Sequence, residues 1–116
     1  MQTAIIAFDS KQLNLILTKM LGCFGFETII AENTEQLRLA LAKENPSVVL
    51  TDWSLSGDNV LNFLSKQEKL PKVIFISKEN NPEKIADALN IGIDEYIIKP
   101  FDNDILQSKL SMVGLL

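Results

Sequence analysis

Apolar residues recur along this chain in two rhythms that take turns. Short runs, Ala4-Ile5-Ile6-Ala7-Phe8, Glu27-Thr28-Ile29-Ile30, Val48-Val49-Leu50-Thr51, Val73-Ile74-Phe75-Ile76 and Glu95-Tyr96-Ile97-Ile98, read as β-strands. The first, third and fourth are apolar almost throughout, as strands covered on both faces of a parallel sheet are. Between the runs the spacing becomes helical. Leu13, Ile16, Leu17, Met20, Leu21 and Phe24 mark one helix face, and Gly25 stands where a left-handed cap stops it. Asn33 or Thr34 caps a second helix with Leu37, Ala40 and Leu41 inward, ended by Asn45-Pro46. Val60, Leu61 and Leu64 predict a third helix. A fourth opens near Pro82 with Ile85, Ala88 and Leu89 inward, followed by Gly92. Asp102 caps a fifth helix carrying Leu106, Leu110 and Val113.

Strict alternation of five strands with five helices predicts an α/β fold. Right-handed crossovers place helices on both faces of a five-stranded parallel sheet, and this size favours the flavodoxin-like strand order 2-1-3-4-5. The 116 residues suit one domain spanning residues 1–116. At 47% hydrophobic residues and a net charge of -4, the chain can bury a core and is not of disordered composition. It contains no histidine and one cysteine, Cys23, which argues against zinc or iron–sulfur sites, histidine catalysis and an internal disulfide. Cys23 is expected as a small buried or half-buried filler. A pI near 4.7 argues against direct binding to nucleic acid or an anionic membrane. There is neither a basic leader nor a stretch of about 20 apolar residues, so a cytoplasmic protein is expected.

In such sheets ligands bind beyond the carboxyl ends of the strands, near the point where strand order reverses. The first strand ends at Asp9, the third at Asp52, the fourth at Ser77 and the fifth at Lys99-Pro100. Two carboxylates from neighbouring central strands suit a hard cation such as Mg²⁺. A lysine and a hydroxyl complete a pocket for a phosphoryl group, and carboxylates alone would repel one. Each residue also has a plainer reading. Asp9 serves as a helix cap, Asp52 as a turn residue, Lys99 as a solvated strand end, and Tyr96 as strand packing. The coincidence of four such residues at four strand ends is what favours a site.

The segment Gly92-Ile93-Asp94-Glu95-Tyr96-Ile97-Ile98-Lys99-Pro100-Phe101 resembles the closing pattern of the receiver domain of two-component response regulators. Pro46-Ser47-Val48-Val49-Leu50-Thr51-Asp52 is similar to that family's strand leading into its phosphoacceptor, and the likeness covers essentially the whole chain. The resemblance implies that Asp52 takes a phosphoryl group from the phosphohistidine of a histidine kinase or phosphotransfer protein. It implies that Asp9, Asp52 and the backbone carbonyl of Ser54 ligate Mg²⁺, and that Lys99 pairs with Asp52 and the phosphoryl oxygens. Ser77 and Tyr96 become the switch residues, the Lys99-Pro100 bond is cis, and binding of an output partner follows phosphorylation. The protein then acts as a monomer or weak homodimer and catalyses at most its own phosphorylation and dephosphorylation.

The family pattern ends its first strand with two acids, and here only Asp9 is present. The helical period after it aligns Asp9 with the second, metal-ligating acid and Phe8 with the first. A shift of one residue would put Ser10 at the ligand position but breaks the helix spacing. Ser56 replaces a proline, Val60 a glycine, and Lys78 a small residue. One acid fewer weakens metal affinity and also makes the remaining carboxylates easier to hold without metal. The alternative is therefore a pseudo-receiver that binds its partner without phosphorylation. A flavodoxin-like enzyme is disfavoured because the turn Phe8-Asp9-Ser10-Lys11 carries no G-x-G-x-x-G loop. Trp53, next to Asp52, is expected to be partly buried beside the site and to serve as a fluorophore.

Overall fold

The computed structural model describes all 116 residues, Met1–Leu116. Strands β1 (Thr3–Ala7), β2 (Glu27–Ile30), β3 (Val48–Thr51), β4 (Lys72–Ser77) and β5 (Glu95–Ile98) alternate with helices α1 (Lys11–Cys23), α2 (Thr34–Glu44), α3 (Val60–Ser65), α4 (Pro82–Ile91) and α5 (Asn103–Met112). A separate two-residue hairpin, Ser54–Leu55 against Asp58–Asn59, lies between β3 and α3. All pairings within the five-stranded sheet are parallel and its strand order is 2-1-3-4-5, as the alternation predicts. The register Ala7↔Thr51, Thr51↔Phe75 and Ser77↔Ile98 ends the central strands along one edge.

Strand residues alternate between two buried layers. Ile5, Ala7, Val49, Val73, Phe75 and Tyr96 face α2, α3 and α4, where Leu37, Ala40, Val60, Leu64 and Ala88 meet them. Ala4, Ile6, Val48, Leu50, Ile74, Ile76 and Ile97 face α1 and α5, against Leu17, Leu21, Leu106 and Leu110. This double cover is why those strands read as unbroken apolar runs.

Local sequence explains the helix ends. Asn33, Asn59, Asn81 and Asp102 each accept a backbone N–H in the first turn of the helix they precede, and Pro82 opens α4. After α1 the Gly25 N–H reaches the Gly22 carbonyl and the Phe26 N–H the Leu21 carbonyl, at 3.0 Å each, with Gly25 at φ 90°. That is the Schellman closure, which glycine permits. Ser56 and Gly57 at the hairpin tip both have positive φ, the pattern of a type I′ turn.

Three expectations are corrected. On α1 the buried positions are Asn14, Leu17 and Leu21, and Ile16 is 52% exposed. Leu13 and Met20 are partly buried against the core, and with the exposed Ile16 they line, together with Lys78, Lys99, Pro100 and Phe101, a groove of about 450 Å³. Leu89 is exposed because α4 rests on the core through the small side chain of Ala88. Cys23 is exposed: two positions past Leu21 is about 200° around the helix, the solvent side.

Candidate functional site

Asp9 follows β1 and is exposed, and it does not cap α1. Ser10 does so, its hydroxyl accepting the Leu13 N–H at 3.1 Å. Asp9 instead reaches across to the hairpin, where its Oδ1 accepts the Ser56 N–H at 2.7 Å. A proline at position 56 would have no hydrogen to donate. The departure at Ser56 therefore supplies a bond that ties the end of β1 to the loop after β3.

Asp52 follows β3 and is half-buried, with its Oδ1 accepting the Trp53 N–H at 2.6 Å. Just before it, the buried Thr51 hydroxyl donates to the Ala7 carbonyl at 2.7 Å and locks the two central strand ends together. Ser77 is buried at the end of β4, where its Oγ accepts the Glu79 N–H at 3.2 Å. Lys99 donates its backbone N–H to the Ser77 carbonyl at 2.8 Å, and the Lys99-Pro100 bond is cis, as the resemblance implies. Its ammonium makes no ion pair with Asp52 or Asp9. It stands 5.9 Å from the centroid of the Phe8 ring, within cation–π range. Phe8 lies just beyond β1, 3% exposed, in the layer under α1 and α5.

Tyr96 is 5% exposed, packed in the opposite layer with Trp53 and Phe75. Its hydroxyl accepts the Trp53 Nε1–H at 2.8 Å and donates to the Glu79 carbonyl at 2.9 Å. The Trp53 ring is half-buried and meets Phe75 edge-on at 5.4 Å between centroids. The Glu79 carboxylate bonds Lys84 at 3.0 Å and accepts the Asn81 N–H, and these hold its pKa below the usual carboxylate value, the Lys84 bond foremost.

The strand register thus brings Asp9, Asp52, Ser77 and Lys99 to one sheet edge, with Lys99 not on Asp52. One oxygen of each carboxylate is occupied by a backbone N–H, and the other takes no hydrogen bond from the protein. Two carboxylates, each with one oxygen left free by the protein, are hard oxygen donors of the kind that suits Mg²⁺.

Sequence reasoning missed Asn14. It is 3% exposed, and its amide grips Phe8 at both backbone groups: Oδ1 accepts the Phe8 N–H at 3.2 Å and Nδ2 donates to the Phe8 carbonyl at 3.0 Å. The clamp fixes the backbone from which Asp9 extends. Its signal was present, because a polar residue in register with Leu17 and Leu21 on a buried helix face needs a partner. Asn14→Ala leaves both Phe8 groups without partners, at about 1–3 kcal/mol each before relaxation. A loss of about 2–4 kcal/mol in urea unfolding is expected, and a loss below about 0.5 kcal/mol would contradict the clamp.

The family profile described as Response regulator receiver domain matches residues 4–111. The chain is 27% identical over 118 residues to the phosphate regulon transcriptional regulatory protein PhoB of Pseudomonas aeruginosa, covering 97% of this chain and 51% of that protein. It is 28% identical over 117 residues to the chemotaxis protein CheY1 of Helicobacter pylori, covering 94% of each. It is 30% identical over 112 residues to the probable transcriptional regulator ycf27 of Pyropia yezoensis, covering 94% of this chain and 46% of that one. The chain therefore spans about half the length of the two transcriptional regulators. Among solved structures, a two-component response regulator from Clostridium difficile superposes with a TM-score of 0.88 at 22% identity, covering 97% of this chain and 96% of that one. The BeF3-activated receiver domain of Klebsiella pneumoniae RstA does so at 0.86 and 16%, covering 96% and 97%. At those identities the superpositions speak for the fold. With 108 of its residues matched by the family profile (4 to 111 inclusive), the chain belongs to the response regulator receiver domain family.

Proposed function

We propose that this receiver domain accepts a phosphoryl group on Asp52 from the phosphohistidine of a histidine kinase or phosphotransfer protein in the cytoplasm, and that this alters its affinity for an output partner. The observation that carries the reading is Asp52 itself. It is half-buried at the end of a central strand with Oδ2 free, and Asp9, Ser77 and Lys99 end neighbouring strands on the same edge. In the transfer, Oδ2 forms a bond to phosphorus as the phosphorus–nitrogen bond to the donor imidazole breaks. The nitrogen keeps that electron pair and takes up a proton, leaving an acyl phosphate on Asp52. Lys99 leaves the Phe8 ring to meet the phosphoryl oxygens, and Ser77 donates its hydroxyl to them. Asp9, Asp52 and the Ser54 carbonyl would hold Mg²⁺, which when bound offsets the repulsion between carboxylates and phosphoryl oxygens. The apolar groove beside Lys99, lined by Leu13, Ile16 and Met20, gives a donor helix a surface adjoining the acceptor.

Titrating Trp53 fluorescence with Mg²⁺, with and without beryllofluoride, tests the reading. A saturable change with both is expected, and a flat response to both would overturn it. Phe8→Asp restores the acid absent from the site. It is expected to tighten Mg²⁺ binding about tenfold, or about 1.4 kcal/mol. Without the cation the same change lowers stability, because a charge replaces a ring that is 3% exposed. Calorimetric titration and urea unfolding read the two effects.

One observation favours a second reading, a module that binds its partner without phosphorylation. Lys99 rests on Phe8 and Asp9 is held by the Ser56 N–H, so both charged groups have partners with no cation or phosphoryl group. In that case Asp52→Asn leaves partner affinity unchanged.

A further inference from the structure

The switch tyrosine is already inside. Outward rotation of Tyr96 would break its bonds to Trp53 Nε1–H and to the Glu79 carbonyl, and would part its ring from Trp53 and Phe75, at 6.2 and 6.3 Å between centroids. Of its two polar partners, the Glu79 carbonyl belongs to the loop that Tyr96 would control. Trp53 belongs to the segment holding the acceptor, one residue from Asp52, and its ring is braced by Phe75. The indole offers a single donor and no acceptor, so its bond to the phenol oxygen leaves the phenol proton to Glu79.

We propose that the Trp53 indole N–H is a positioning group that holds Tyr96 buried before any phosphoryl group reaches Asp52. The loop from Ser77 to Asn81, and the α4–β5 face it borders, are thereby set in the resting chain. The Glu79 N–H on Ser77 Oγ and the Lys84 ion pair hold the same loop from its other side. Phosphorylation then acts on a face already arranged, and the fraction of domains able to bind a partner at rest depends on residue 53. The placement of Tyr96 does not depend on Asp52 accepting a phosphoryl group; only the response to a phosphoryl mimic does.

The chain holds one tryptophan and one tyrosine, so each reports without overlap. In the full chain, 3-fluorotyrosine at position 96 gives one ¹⁹F resonance and Trp53 one indole ¹⁵N–H resonance. Without phosphodonor, the expected result is a ¹⁹F shift insensitive to exchange of H₂O for D₂O and an indole proton protected from solvent exchange. Trp53→Phe keeps an aromatic ring against Phe75 but removes the donor. It is expected to lower the buried-to-exposed ratio of Tyr96 about tenfold and move the ¹⁹F resonance towards its position in the urea-unfolded chain. Tyr96→Phe is expected to speed indole proton exchange with circular dichroism unchanged, which separates loss of the bond from loss of the fold. A solvent-exposed ¹⁹F resonance in the wild type, or one that Trp53→Phe leaves in place, overturns the proposal. Beryllofluoride with Mg²⁺ added to Trp53→Phe should drive Tyr96 back inside. If it does not, while the wild type keeps Tyr96 buried, the positioning role stands and the phosphoacceptor reading of Asp52 fails.

Discussion

Asp52→Asn is expected to abolish the gain in mass expected of the wild-type chain on incubation with a small-molecule phosphodonor and Mg²⁺. The effect is all-or-none because the carboxylate is the nucleophile of the proposed transfer. A carboxamide keeps the shape and its Oδ1 can still accept the Trp53 N–H, but it lacks the charge that drives attack on phosphorus. The near-isosteric change also removes one of the two carboxylates that fit Mg²⁺, so the Mg²⁺-dependent change in Trp53 fluorescence should fall with it. Intact-mass spectrometry reads the first effect and fluorescence titration the second. Equal mass gain in both proteins would place the acceptor elsewhere. An unchanged partner affinity in Asp52→Asn, beside a wild type that takes up no phosphoryl group, would favour the phosphorylation-independent module.

Phe75→Ala carries the largest expected loss of stability. The ring is fully buried in β4, between Thr51 of β3 and Tyr96 of β5 in register. It bears on Trp53 edge-on and on Tyr96 at a tilt, so it is the floor on which the Trp53 and Tyr96 rings rest. Large-to-small changes of a buried phenylalanine cost about 3–5 kcal/mol, against about 5–15 kcal/mol for a whole domain. Urea unfolding followed at Trp53 should show that loss, with the native emission shifted to the red as the indole gains water. A loss below about 1 kcal/mol would mean the layer refills the space and the two rings do not depend on Phe75.

Much of the fold could be read from short stretches of chain because its causes are local. Asn33, Asn81 and Asp102 cap the helices they precede through bonds to residues two or three positions on, and Gly25 closes α1 within one turn. The apolar runs of β1, β3 and β4 announced strands covered twice over, and alternation with helices carried the strand order. Where the reading slipped, a neighbour distant in sequence decided the outcome. Ile16 has the right period for the buried face that Leu13 and Met20 share, yet it stays exposed along a groove flanked by Pro100 and Phe101. Asn14, passed over as polar, took the buried place because the backbone of Phe8 needed a donor and an acceptor there.

The same division runs through the site. Which residues end the strands, that Phe8 stands where an acid would, and that a proline is missing at Ser56 are properties of the sequence alone. They pointed to the receiver fold and singled out Asp9, Asp52, Ser77, Tyr96 and Lys99 as candidates. Only the tertiary structure decided where their polar atoms are spent. Asp9 goes to the Ser56 N–H across 47 residues of chain, Tyr96 to Trp53 across 43, and Lys99 to the ring of Phe8. Periodicity and capping act over a few residues and leave their mark in the order of side chains. A hydrogen bond between distant segments depends on strand register and loop shape, which exist only once the sheet has closed.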